Sequence, residues 1–273
     1  MSIPTLGRYR RAARIALAAA VVLGVSGCQG AESPNIRIGV AIDEPGMSLL
    51  SAGVYSGFDI DVASYVANAL GKTEITYVRA TPAQRDVLLT TGQVDIVVAA
   101  YAMTDASALS VAFAGPYLTT GQTLLVRRGS RIAGPDDMPG HTLCTGTGTP
   151  AAQRIVQKYP GVQLQTFDSY ARCVALLDTG QIDAVTGDQV VLAGFARQPQ
   201  YADEFTLVGK TFSIESYAVG LPKDDSRLCR RITTALTTMV SSGAWQRAVD
   251  KNLTPLGVRL DPKQNPPKLA SCR

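Results

Sequence analysis

Thr91-Gly92-Gln93-Val94-Asp95 and Thr179-Gly180-Gln181-Ile182-Asp183 are near-copies of one another, and each leads into an apolar strand, 94–100 (VDIVVAA) and 182–186. What precedes each copy follows the same order. In the first half, 36–42 (IRIGVAI) alternates into a short strand closed by the turn-forming Asp43-Glu44-Pro45-Gly46. Residues 58–70 place Phe58, Val62, Tyr65, Val66 and Ala69 at helical spacing and stop at Gly71, 74–79 reads as strand, and 83–90 as helix. In the second half a strand begins at Leu143 and is followed by Thr145-Gly146-Thr147-Gly148-Thr149-Pro150. Helix 151–158, strand 162–166 and helix 170–177 then lead to the second copy. Strands alternating with helices imply βαβ units around a parallel-rich sheet, and the repeat predicts two α/β lobes of similar plan.

The last third, a strand at 217–221 and helices at 225–241 and 244–252, is too small for a third domain and is expected to return to the first lobe. Two crossings between lobes make a hinge. The expected division is 36–118 with 217–273 for lobe 1 and 119–216 for lobe 2, hinged near 117–122 and 213–218. The tail from Thr254 is proline-rich and ends near Cys272, which can pin it down.

Composition excludes several function classes. With 273 residues, 46% hydrophobic and 18% charged, the chain can bury a core and is not of disordered type. Its formal charge of +4 comes from Arg8, Arg10, Arg11 and Arg14, which lie in a leader free of Asp, Glu and Lys. Without those four arginines the 26 basic residues fall to the number of acidic ones, 22, so the footprint of a nucleic-acid binder is missing. One histidine, His141, rules out metal sites built on histidine pairs. Neither a metal nor an organic cofactor is expected.

Arg-rich residues 1–14, the apolar run 15–25 (IALAAAVVLGV) and the small residues Ser26-Gly27 before Cys28 form the layout of a secretory signal. The run is about 16 Å long as a helix, at ~1.5 Å per residue, too short for a ~30 Å hydrocarbon core. Val25-Ser26-Gly27-Cys28 resembles a bacterial lipobox, so residues 1–28 are expected to be a lipoprotein signal peptide, Cys28 the lipidated residue, and 29–35 (QGAESPN) a tether. The chain is then exported and held by lipid on the outer face of the cytoplasmic membrane. Cys144, Cys173, Cys229 and Cys272 remain, an even number in an oxidising compartment. Three pairings are possible. Cys144–Cys173 with Cys229–Cys272 keeps each bond within one expected lobe, and a loop of about 30 residues gains roughly 3 to 4 kcal/mol from such a bond.

Gly57-Phe58-Asp59-Ile60-Asp61-Val62, continuing to Leu70, is similar to the signature of family 3 bacterial extracellular solute-binding proteins, the polar amino-acid receptors of ABC importers. Other landmarks follow in order. Gln84-Arg85 precedes the first Gly-Gln-x-Asp, Phe113-Ala114-Gly115-Pro116-Tyr117 resembles the family's Phe-Ser-x-Pro-Tyr, and Thr186 to Asp188 follows the second copy. The resemblance spans 36–252, and Asp43-Glu44-Pro45-Gly46, Cys144, Cys173 and the Cys-terminated tail look nearest to the glutamate-binding lipoproteins of actinobacteria. It implies a two-lobed type II periplasmic-binding-protein clamp, monomeric, that closes on one amino acid such as glutamate or aspartate and hands it to a permease and its ATPase.

The resemblance also implies where the ligand sits. A zwitterion needs cationic donors for its carboxylate and an anion for its ammonium. Asp188 stands where the family places the carboxylate that receives the ammonium. The turn through Thr147, Gly148 and Thr149, with Pro150 opening a helix, would aim backbone N–H groups at an anion. Arg85 corresponds to the arginine that reaches a ligand's side-chain carboxylate. Asp43, Ala100 and Ala102 follow strand ends that face the cleft, and Phe58 and Tyr101 are candidate walls. Ser107 stands where the family carries an arginine for the α-carboxylate, and Ala102 where a hydroxyl is usual, so altered specificity or weaker binding is expected. The competing reading is a dehydratase-like enzyme on this fold, with His141 or Glu215 as acid–base groups. A third is a ligand sensor that signals to a membrane kinase.

Overall fold

The computed structural model describes residues 1–2, 33–270 and 272. Cys28, nearly all of the expected signal peptide and most of the tether lie outside the described residues. The chain from Pro34 to Arg273 is one compact unit. Its first part contains β1 (Asn35–Val40), three short strands β2 (Asp43–Glu44), β3 (Ser48–Ser51) and β4 (Val54–Ser56), α1 (Phe58–Ala69), β5 (Glu74–Arg79), α2 (Arg85–Thr90), β6 (Ile96–Val97) and β7 (Val111–Thr120). The middle contains β8 (Gln122–Arg127), β9 (Thr142–Gly146), α3 (Pro150–Lys158), β10 (Gln163–Phe167), α4 (Tyr170–Asp178), β11 (Ala184–Asp188), α5 (Gln189–Ala196) and β12 (Phe205–Val208). β13 (Glu215–Pro222), α6 (Ser226–Ser241) and α7 (Ala244–Asn252) complete it.

Two five-stranded sheets repeat one plan, β5-β1-β6-β13-β7 and β10-β9-β11-β8-β12. In each, three strands joined through helices run parallel and two further strands add antiparallel. The repeated pentapeptides occupy equivalent places, and the structure shows why their chemistry recurs. Asp95 Oδ2 accepts from Arg37 N at 2.7 Å, and Asp183 Oδ2 from Thr142 N at 2.8 Å, so each aspartate, just before the third parallel strand of its lobe, bonds the backbone of the strand beside it. Gln93 and Gln181 both donate to the threonine two residues earlier at 2.9 Å. Gly92 and Gly180 have φ of 66° and 73°, a region that a side chain disfavours.

Two sequence expectations need correction. The run 94–100 pairs only over Ile96–Val97, because the chain turns away at Ala100. There φ is 46° and the N–H is held by Asp59 Oδ2 at 2.6 Å. The antiparallel strands β7, β8 and β12 also lie where no strand was read. Their pairing is long-range, and Gly115-Pro116 interrupts the apolar pattern of β7.

α1 sits on the first sheet through Phe58, Val62 and Val66, all fully buried, each contributing roughly 1.5 to 3 kcal/mol of apolar transfer. Phe58 meets Trp245 edge-on at 6.3 Å, and Trp245 Nε1 donates to Tyr117 O at 2.7 Å, fastening α7 to β7. The chain passes between sheets twice, at Gly121 and between β12 and β13. Phe212 N donates to Gln122 O and Gln122 N to Ser213 Oγ, tying the two crossings together. The disulfides are Cys144–Cys173, joining β9 to α4, and Cys229–Cys272, which holds the tail on α6. The tail covers β7, an edge strand that would otherwise present open backbone groups. Asn265 exchanges two hydrogen bonds with the Thr119 backbone, and Ala270 N donates to Gly115 O.

Candidate functional site

The loops at the carboxyl ends of the parallel strands of both sheets converge on one cleft. Glu44, Arg85, Ala100 and Ala102 line it from the first lobe, and Thr149, Pro150, Ala151, Tyr170, Asp188 and Val191 from the second. The lobes touch around its rim. Ser169 Oγ donates to Asp43 Oδ2, an ideal Cβ on Gly148 would lie 2.9 Å from Ala83 Cα, and one on Gly194 of α5 only 1.8 Å from Pro45 O.

Arg85 is the one cation among the lining residues. α2 delivers it to the cleft, 5% exposed, with its guanidinium 5.4 Å from the centre of the Tyr101 ring. Tyr101 is in turn held by Phe113 at 4.9 Å and by a hydrogen bond to Asp86. Among the described residues Arg85 Nε has no hydrogen-bond partner, and neither has Glu44 Oε2. Glu44 is 3% exposed. Burial pushes its carboxyl up to about 8, the acids Asp43, Asp59 and Asp188 add to that, and Arg85 opposes it. A buried donor or acceptor left unbonded costs about 1 to 3 kcal/mol, so two orphaned groups facing one cleft suit a polar ligand.

Asp188 ends β11 at the start of α5 but makes no capping bond to that helix. Tyr217 Oη donates to its Oδ2 at 2.5 Å instead, reaching from β13. Burial and then Glu215 raise its carboxyl above the ordinary range, while Tyr217, Arg85 and Arg154 pull it down. Thr149 caps α3, accepting from Ala152 N at 3.2 Å and donating to Gly146 O at 2.8 Å. Because Pro150 has no N–H and Ala152 is already engaged, the turn offers fewer free amides than the sequence suggested. Thr147 N likewise donates to Phe167 O, and Thr147 and Gly148 stay at the rim rather than in the lining.

Several candidate residues take other roles. Phe58 is a core residue, fully buried between Trp245 and Tyr117, and not a wall of the cleft. Tyr101 lies behind Arg85 and supports it. Asp43 belongs to the rim contact with Ser169. Asp59, which the sequence reading passed over although it sits in the Gly-Phe-Asp signature, is buried and binds both Ala100 N and Tyr117 Oη, fixing the wall that Ala100 and Ala102 form. Glu44 was missed as well, although it directly follows Asp43. Of the two acid–base candidates, His141 is a half-exposed partner of Asp183 at 3.3 Å, and Glu215 is bound by Arg154 at 2.8 Å and by Ser213. Ser107 sits in a short helical turn outside the cleft lining.

The family model of bacterial extracellular solute-binding proteins, family 3, matches residues 36–255. The chain belongs to this family. Within family 3 it is 39% identical over 236 residues to the glutamate-binding protein GluB of Corynebacterium efficiens, covering 81% of this chain and 80% of that one. It is 31% identical to the ABC transporter glutamine-binding protein GlnH of Bacillus subtilis, covering 81% of each. The solute receptor for L-cysteine of Neisseria gonorrhoeae superposes with a TM-score of 0.78 at 26% identity, over 84% of this chain and 94% of that one. The two-lobed α/β architecture of the type II amino-acid-binding proteins is therefore shared by fold as well as by sequence.

Proposed function

We propose that this family 3 protein is the exported receptor of an ABC importer, lipidated at Cys28, that captures an acidic amino acid such as glutamate or aspartate and delivers it to a membrane permease. The observation that carries this reading is the pair of unbonded buried groups, Arg85 Nε and Glu44 Oε2, facing one interlobe cleft. Arg85 receives a carboxylate of the ligand. Glu44, protonated near neutral pH because it is buried, donates a hydrogen bond to the same group or to a neighbouring carbonyl. Asp188, already aligned by Tyr217, receives the α-ammonium. Arg85 thus supplies the cation that Ser107 does not. The glutamate-binding relatives support an acidic ligand. His141 and Glu215 are both engaged away from the lining, which favours a non-catalytic receptor over a dehydratase-like enzyme.

The test is a thermal-shift screen of the oxidised chain from residue 29 against amino acids and small dicarboxylates. A ligand that binds only the folded state at a hundredfold excess over its Kd stabilises by about 2.7 kcal/mol, which is readily seen. Shifts with glutamate or aspartate are expected. Shifts confined to neutral or basic amino acids would overturn the acidic assignment. Loss of labelled glutamate uptake on deleting the gene supports import, whereas unchanged uptake with altered regulation would favour the sensor role.

A further inference from the structure

Next to Asp188, outside the cleft lining, four residues close a ring of hydrogen bonds that joins both passages between the sheets to α3. Arg154 of α3 donates from Nη1 to Gln122 Oε1 at 2.6 Å, and its Nη2 lies 2.8 Å from Glu215 Oε1. Ser213 Oγ donates to the same Glu215 oxygen at 2.7 Å and accepts from Gln122 N at 2.9 Å, which completes the ring. Gln122 opens β8 after the first passage, Ser213 lies in the second, and Glu215 opens β13. Glu215 is buried, and a buried carboxylate is tolerated when a cation pairs with it. Arg154 is that cation, and it reaches Glu215 from the other lobe.

The ring abuts Asp188 from two sides. Gln122 stands directly opposite Asp188 in the β8–β11 ladder, and its Nε2 donates to Thr186 Oγ1 at 2.7 Å, on the face of β11 that carries Asp188. Glu215 lies two residues before Tyr217 on β13 and so shares its face, and Tyr217 Oη is the donor to Asp188. The charged and titratable groups around Asp188 are Glu44 from β2, Arg85 from α2, Arg154 from α3, Tyr170 from α4, and Glu215 and Tyr217 from β13. Burial raises the Asp188 carboxyl most, and Glu215 adds to that, while Tyr217, Arg85 and Arg154 oppose it. Arg85 is committed to the ligand's carboxylate in the proposed function, so Arg154 is the cation left to offset Glu215. Without one, two neighbouring buried carboxyls compete for a single negative charge.

We propose that Arg154 is a positioning residue for ligand recognition: by pairing with Glu215 between the lobes, it leaves Asp188 as the carboxylate that receives the α-ammonium. Fewer protons then have to leave the site when the ligand enters. This rests on the assignment of the ammonium to Asp188 above. The test uses the oxidised chain from residue 29 as wild type, Arg154→Met, Glu215→Gln and the double variant. In the ligand-free protein, carbon-13 NMR follows the titration of the Asp188 carboxyl, identified by its loss in Asp188→Asn. The midpoint is expected about one pH unit or more higher in Arg154→Met than in wild type, and back near wild type in the double variant, which lacks both charges. Because Arg154→Met leaves Glu215 buried without its cation, Glu215→Gln is the folding-safe version, and its midpoint should fall below that of wild type. With glutamate as the probe, calorimetry near pH 7 should show roughly tenfold weaker binding by Arg154→Met, shrinking as pH rises, with recovery in the double variant. An arginine that merely held α3 in place would weaken binding equally at every pH, with no recovery. That result, or an Asp188 midpoint unmoved in Arg154→Met and Glu215→Gln, overturns the proposal. Failure of wild type to bind glutamate strikes the acidic-ligand reading instead, and the Asp188 midpoints still decide what the pair does.

Discussion

Arg85 and Glu44 show what one residue can and cannot reveal in a sequence. Arg85 stood out because Gln84 precedes it and the first Gly-Gln-x-Asp follows it, and the structure places it in the cleft. Glu44 did not stand out, because β2 is two residues long and no periodicity says which of Asp43 and Glu44 points inward. Asp43 turned out to meet Ser169, and Glu44 to face Arg85's cleft. Glu44 also carries a pH signature. Burial in the folded protein lifts its carboxyl to about 8 from the ordinary 4.5, so between those values the native state holds a proton that the unfolded chain has released. The stability is therefore full below the unfolded value and is lost as pH rises through the folded one, by roughly 4 to 5 kcal/mol at ~1.36 kcal/mol per decade. Asp59 and Asp188 are raised too and slope the same way. Glu44→Gln is expected to match wild type in acid and to melt progressively higher than wild type as pH rises from about 5 to 8, the gap levelling off above that, as thermal melts across pH would show. Parallel profiles would contradict the buried, unpaired carboxyl.

At the scale of elements, the parallel half of each sheet was legible, and of the antiparallel strands only β13 was, through 217–221. The βαβ units are local, and their strands and helices announce themselves by period and by the glycine that ends each turn. β7, β8, β12 and β13 pair across the two crossings, over separations that no local pattern encodes. The tail was legible only as a cysteine with a proline-rich approach. In the structure it acts as a clasp on the edge of β7 next to the passage between the sheets, through Asn265 and the Cys229–Cys272 bond. Cys272→Ser is expected to lower stability by roughly 3 to 4 kcal/mol, the chain-entropy value for a loop of this length. Hydrogen exchange should also deprotect Thr119 and Ala270, whose amides the tail pairing holds. A denaturation midpoint equal to that of wild type would show that the tail stays docked without the bond.

On the scale of the whole molecule, two copies of one α/β plan meet across a cleft in which neither lobe alone gathers the polar groups for a zwitterion. Arg85 and Glu44 come from one lobe, Asp188 and Thr149 from the other. The site is therefore complete only where the two lobes meet, and Gly194 permits that contact. A side chain there would collide with Pro45 O and hold the β2 turn off α5, while each sheet keeps its own core. Gly194→Val is expected to fold, to bind its ligand weakly, and to show no ligand-induced contraction in solution scattering where wild type contracts. Unchanged affinity and compaction would mean that closure follows another path. In the proposed function, Arg85 anchors the carboxylate of an acidic amino acid in place of the arginine missing at Ser107. Calorimetric titration of glutamate into wild type and Arg85→Gln, side by side, tests it most directly. Saturable binding by wild type is expected, with a loss of roughly tenfold to a hundredfold or more in the variant, the worth of a charge-assisted hydrogen bond of about 1.5 to 3 kcal/mol. Equal affinities in the two proteins would contradict it.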